Sequence, residues 1–97
     1  MKILVFDTET TGLPERNASI TDHDKWPYII QLSYILFDIS QNSMLKCVNE
    51  YVNIPDNIEI SEGSQNIHKI TREICNTQGK PIILLLQDFN QTLQRAD

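Results

Sequence analysis

Ninety-seven residues with 40% hydrophobic content suffice for one small domain with a core of its own. A formal charge of −5, from 13 acidic and 8 basic residues, argues against a general nucleic-acid coating protein, which carries a clustered basic face. No apolar run approaches membrane-span length, no targeting pattern precedes the first strand, and Cys47 and Cys75 stand in no metal-ligand spacing, so a soluble cytoplasmic chain with two reduced thiols is expected.

The chain opens on Ile3-Leu4-Val5-Phe6, an unbroken apolar run rich in strand formers that predicts a central strand covered on both faces. Asp7 and Glu9 follow two positions apart. Alternation on a strand sends both carboxylates to one side and Thr8 to the other, with Cβ atoms roughly 7 Å apart. Two acids at the end of a buried strand repel and lose hydration, a conflict that a hard dication removes; oxygen-only ligands favour magnesium or manganese over zinc. A bare Asp-x-Glu more often simply ends a strand. Thr10-Thr11-Gly12 then turns the chain, with hydroxyls free to satisfy backbone groups and Leu13 placed to plug the core.

Pro14 to Pro27 is polar and turn-rich and reads as a surface loop; His23 between Asp22 and Asp24 is a solvated residue there. Tyr28 to Asp38 alternates, with Ile30, Leu32, Tyr34 and Leu36 on one side and Ile29, Gln31, Ser33, Ile35 and Phe37 on the other. Ser40 to Ser43 supplies a turn, and Met44 to Ile54 returns as the third strand of a meander. After Pro55-Asp56-Asn57, a short helix is expected over Ser61 to His68, capped by Ser61 or Ser64, and a second from Thr71 to Cys75. Pro81 suits the first position of a last helix, where Ile82, Leu85, Leu86, Phe89 and Leu93 fall on one stripe facing the sheet. No repeat, linker or charge block marks an internal boundary.

The octet Phe6-Asp7-Thr8-Glu9-Thr10-Thr11-Gly12-Leu13 resembles the first signature of the DEDD superfamily of 3′ to 5′ exonucleases, which includes proofreading enzymes. Trp26-Pro27 leading into Ile29-Ile30-Gln31-Leu32-Ser33, and Ile67-His68-Lys69-Ile70-Thr71, extend the resemblance over nearly the whole chain. It implies an α/β, ribonuclease-H-like domain, truncated before its later strands, with residues 1–97 forming the N-terminal half. Asp7 and Glu9 match acids that hold two Mg2+ (or Mn2+) ions at the terminal phosphodiester. Those ions supply a nucleophilic water and stabilise the leaving 3′ oxygen.

By the same resemblance, Thr10, Thr11 and Leu13 touch the 3′ nucleotide, and His68 falls where the family has a pocket His, although Lys69 stands where the family has Gly. Glu62 is one residue out of place for the acid that precedes this His, and its role is not carried over. The second and third motifs, with two further acids and a His or Tyr base, are missing, so these residues alone are expected to be inactive. The implied partners are a nucleic-acid 3′ end and a polymerase, with no membrane; an open strand edge also invites self-association. The alternative is a non-catalytic nucleic-acid- or protein-binding module that keeps the fold.

Overall fold

A computed structural model describes all residues, Met1 to Asp97. Strands β1 (Lys2–Thr10), β2 (Ile29–Asp38) and β3 (Ser43–Tyr51) form an antiparallel meander in the order β1-β2-β3. Helices α1 (Glu62–His68), α2 (Arg72–Gln78) and α3 (Ile82–Arg95) follow, and one 3-10 turn, His23–Lys25, interrupts the loop before β2. No helix is long and apolar enough to cross a membrane.

The alternation in β2 sets the core. Ile30, Leu32, Tyr34 and Leu36 are all buried, and they divide between two clusters. Ile30 packs with Ile54, Ile70 and Cys75 beneath α2. Leu32 and Tyr34 pack with Val52 and Leu85 beneath α3. The middle strand is therefore β2 and not β1, which corrects the expectation of a central first strand. Val5 is 59% and Phe6 60% exposed, since one side of β1 and its outer edge have no covering element. An apolar run records a tendency to be covered, and here β2 and one side chain of α3, Phe89 edge-on to Phe6 at 5.3 Å, cover it only in part.

Backbone alternation fixes which groups of β1 face outward. Met1 O accepts from Ile39 N–H on the β2 side, while Lys2 turns the other way: its N–H donates to Asp97 Oδ2 at 2.6 Å and its carbonyl accepts from Asp97 N–H at 2.8 Å. In an antiparallel pair such directions alternate, so Leu4, Phe6 and Thr8 also point their amides away from β2.

The hairpin between β2 and β3 closes on Asp38, whose Oδ1 accepts from Ser40 N–H at 3.0 Å, with Asn42 in a left-handed conformation at φ 51°. β3 ends at Tyr51, earlier than its apolar pattern, and Val52 instead makes a parallel bridge to Lys80. Gly79 is required beside that bridge, because a Cβ there would lie 2.5 Å from Asn53 N and 2.7 Å from Val52 C.

The caps act as their residue types dictate. Ser61 Oγ accepts from Ser64 N–H at 3.2 Å and Thr71 Oγ1 accepts from Ile74 N–H at 3.2 Å. On α3, Leu85 is buried and Ile82 and Phe89 half-buried against the sheet, but Leu86 and Leu93 are exposed, a correction to the predicted stripe. Two polar residues take their place. Thr92 is buried, and Asp88 meets Tyr34 Oη and Lys46 Nζ from the sheet, the latter at 2.6 Å.

Candidate active site at the end of the first strand

Asp7 pairs with Ser33 and Glu9 with Gln31 in a register that is unbroken from Lys2 to Glu9. Both acids thus project from the side of the sheet opposite α3, and Thr8 from the other side, as their spacing requires. Asp7 is exposed and Glu9 half-buried. Solvent reaches both, so loss of hydration does not by itself demand a cation; the expectation of a buried strand end is corrected here. Asp7 Oδ1 accepts from Thr8 N–H at 2.9 Å. No Lys or Arg pairs with either acid, since the four ion pairs are Met1–Asp97, Lys25–Asp22, Lys46–Asp88 and Lys80–Glu50.

Beside the acids lies a neutral polar patch that sequence reading did not single out. Asn49 Oδ1 accepts from both Gln31 Nε2 and Ser33 Oγ at 2.8 Å. Only the cross-strand register, in which Ser33 faces Asp7 on one side and Asn49 on the other, brings these residues together. An open depression of about 240 Å3 runs from Asp7, Ser33 and Asn49 onto apolar Val5, Ile35 and Cys47. A larger groove of about 710 Å3, between Tyr28, Val52 and the start of α3, includes neither Asp7 nor Glu9.

The register shifts between Glu9 and Thr10, where Ile30 of β2 is the extra residue opposite them. Bulges re-aim side chains and recur next to active sites. The turn beyond it is held from several directions. Thr10 Oγ1 donates to Gly12 O at 2.8 Å, Thr11 N–H to Tyr28 O at 2.9 Å, and Tyr28 N–H to Thr11 Oγ1 at 3.0 Å. Thr11 is buried, and its hydroxyl satisfies backbone in the way expected of a turn. Leu13 does not plug the core; it is 92% exposed at the mouth of the loop. His68 reaches the same turn, with Nε2 3.1 Å from Thr10 O and Nδ1 accepting from Ile70 N–H at 3.0 Å.

The donor set suits a hard dication in part. Two carboxylates on one side of a strand, free of cationic partners, offer the oxygen ligands that magnesium or manganese takes. No group of three or more His, Cys, Asp or Glu side chains converges anywhere in the chain, so these residues supply part of a ligand set. His23 takes no share in such a group. Cys47 and Cys75 are free thiols, the first exposed and the second buried, and burial pushes the Cys75 thiol up.

Three antiparallel strands followed by three helices, with an Asp-x-Glu at the end of the first strand, match the N-terminal part of a ribonuclease-H-like exonuclease fold. Residues 4–97 match the exonuclease family of RNase T, and the chain belongs to that family. Among solved structures, cell-death related nuclease 4 superimposes with a TM-score of 0.65 at 19% identity, over 97% of this chain and 30% of its own. The nuclease domain of 3′hExo, a DEDDh family member bound to rAMP, gives 0.65 at 15% identity, over 96% and 44%. A 3′-exonuclease that recognises the 3′ end of the histone mRNA stem-loop gives 0.65 at 15%, over 96% and 39%. The chain thus spans less than half the length of each. No curated protein matches the sequence significantly.

Proposed function

We propose that residues 1–97 are the N-terminal half of a single exonuclease domain, and that the protein is a metal-dependent 3′ to 5′ exonuclease releasing mononucleotides from DNA or RNA ends. The observation that carries this reading is the pair Asp7 and Glu9, side by side on the uncovered side of the sheet and free of cationic partners. Asp7 and Glu9 would hold Mg2+ or Mn2+, with further ligands from residues outside this chain. Bound there, two such ions supply an activated water and stabilise the leaving oxygen of a phosphodiester. The chain's own residues position the nucleotide. The Thr10–Thr11 turn presents a fixed backbone, exposed Leu13 offers an apolar contact to the terminal base, and His68 stands behind them.

Residues 1–97 alone should not turn over substrate, because two acids without a general base cannot complete the reaction. The open edge of β1 should also drive self-association, and a monomer at high concentration in sedimentation velocity would count against that. A polymerase partner and a proofreading role are consistent with release from 3′ ends.

The test is Asp7→Ala in the full-length protein. Magnesium-dependent release of mononucleotides from 3′ ends should be abolished; near-intact release would remove Asp7 from the ligand set. The non-catalytic binding module is favoured only by the shortage of converging acids. It would be supported by 3′-end binding with no magnesium-dependent cleavage in the intact protein.

A further inference from the structure

The two ends of α1 grip successive carbonyls of the turn that follows Glu9. Ser61 N–H, at the start of the helix, donates to Thr11 O at 2.7 Å, and His68, its last residue, reaches Thr10 O. Because His68 Nδ1 accepts from Ile70 N–H, that nitrogen carries no hydrogen. The ring hydrogen is then on Nε2, which donates to Thr10 O. Lys69 makes this geometry possible: its left-handed φ of 63° reverses the chain within one residue, so that Ile70 N–H points back at the ring. Both ring nitrogens are spent on backbone, leaving the edge of the imidazole nothing to offer a ligand.

The carbonyl that His68 holds belongs to Thr10, the first residue past the shift in register. Pairing with β2 fixes Glu9 from one side; past the shift, the Thr10–Thr11 peptide is held at both ends, its N–H by Tyr28 O at 2.9 Å and its carbonyl by the ring. We propose that His68 is a positioning residue, whose Nε2–H to Thr10 O bond holds the peptide that follows Glu9 and so the direction of the Glu9 carboxylate toward a shared cation. This rests on the reading of Asp7 and Glu9 as cation ligands. Groups that orient a ligand from behind commonly change metal affinity without touching the metal.

The experiment is a Mn2+ titration of the 97-residue chain, read by paramagnetic broadening of the Asp7 to Thr10 amide signals, on wild type, His68→Ala, His68→Gln and His68→Asn. Gln can place an N–H near the position of Nε2, whereas Asn places its polar atoms near Nδ1. The Ala and Asn variants should bind Mn2+ roughly tenfold more weakly, with Gln restored to within about twofold of wild type. Equal affinity in all four proteins overturns the positioning role and leaves the two-acid site standing. Rescue by Asn and not Gln overturns it too, since the Ile70 bond would then be the one that matters. Absence of broadening at Asp7 and Glu9 in wild type overturns the positioning role, since the two acids of this chain then hold no cation for His68 to aim them at; the Asp7→Ala assay in the full-length protein decides the cation-ligand reading separately. If the Ala variant fails to fold, the Gln and Asn variants still decide between these outcomes.

Discussion

Replacing Tyr34 by Phe isolates one hydrogen bond between helix and sheet. The Tyr34 ring is 2% exposed and meets Phe89 edge-on at 5.2 Å, a contact that Phe would keep. What disappears is the hydroxyl that donates to Asp88 Oδ2, while Lys46 Nζ still donates to Oδ1 at 2.6 Å. A hydrogen bond to a charged partner contributes about 1.5–3 kcal/mol. Asp88 is 40% exposed, so water can replace the lost donor and screen the remaining charge, which reduces the expected loss to about 1 kcal/mol. In a domain of this size that lowers Tm by about 4–8 °C.

The loss depends on pH with a definite sign. Hydrogen bonds from Lys46, and next from Tyr34, hold the Asp88 carboxyl below the usual carboxylate range. A depressed folded-state value means stabilisation that is complete above the unfolded pKa of about 4 and is lost as pH falls through the folded one. Urea unfolding followed by circular dichroism should therefore show the full deficit at about pH 7 and a smaller one near pH 3. Equal stability of the two proteins at neutral pH, or a deficit unchanged in acid, would refute the assignment of this bond.

Two further outcomes follow from burial and close approach. Under native conditions iodoacetamide should label exposed Cys47 and spare Cys75, whose thiol is buried and pushed up; mass spectrometry of peptides reads this directly, and labelling of both at equal rates would contradict the packing. Gly79→Ala forces a methyl against the backbone of Cys75, Asn53 and Val52 and should cost about 1–3 kcal/mol or more. Gly63→Ala, within α1 and with open space at its Cβ, should instead stabilise by up to about 1 kcal/mol, so thermal melts of the pair should shift in opposite directions.

The sequence carried much of this architecture because period and capping are local. Ile30, Leu32, Tyr34 and Leu36 alternate in the chain and all four are buried, and Ser61 and Thr71 cap the helices their residue types suggest. The same alternation placed Asp7 and Glu9 on one side, and the octet around them led to the family. What was not legible depends on neighbours. The run Ile3 to Phe6 does not reveal how many strands flank it, so β1 read as central when it lies at an edge. Asp88 and Thr92 interrupt an apolar stripe, and only the presence of Lys46 and Tyr34 across the interface explains a polar residue there. Likewise, no local pattern shows that the His68 ring is bonded on both nitrogens.

The contact between Lys2 and Asp97 has a consequence for anything that lies along the outer margin of β1. With both backbone groups of Lys2 engaged, the first unoccupied amide and carbonyl belong to Leu4, followed by those of Phe6, while the Thr8 amide is already taken by Asp7 Oδ1. An incoming segment cannot slide freely. Its phase is set in steps of two residues from that starting point, and slippage by one would turn every side chain it carries to the opposite side. Two hydrogen bonds at one corner of the molecule thus act as a ruler for any segment that pairs along this margin.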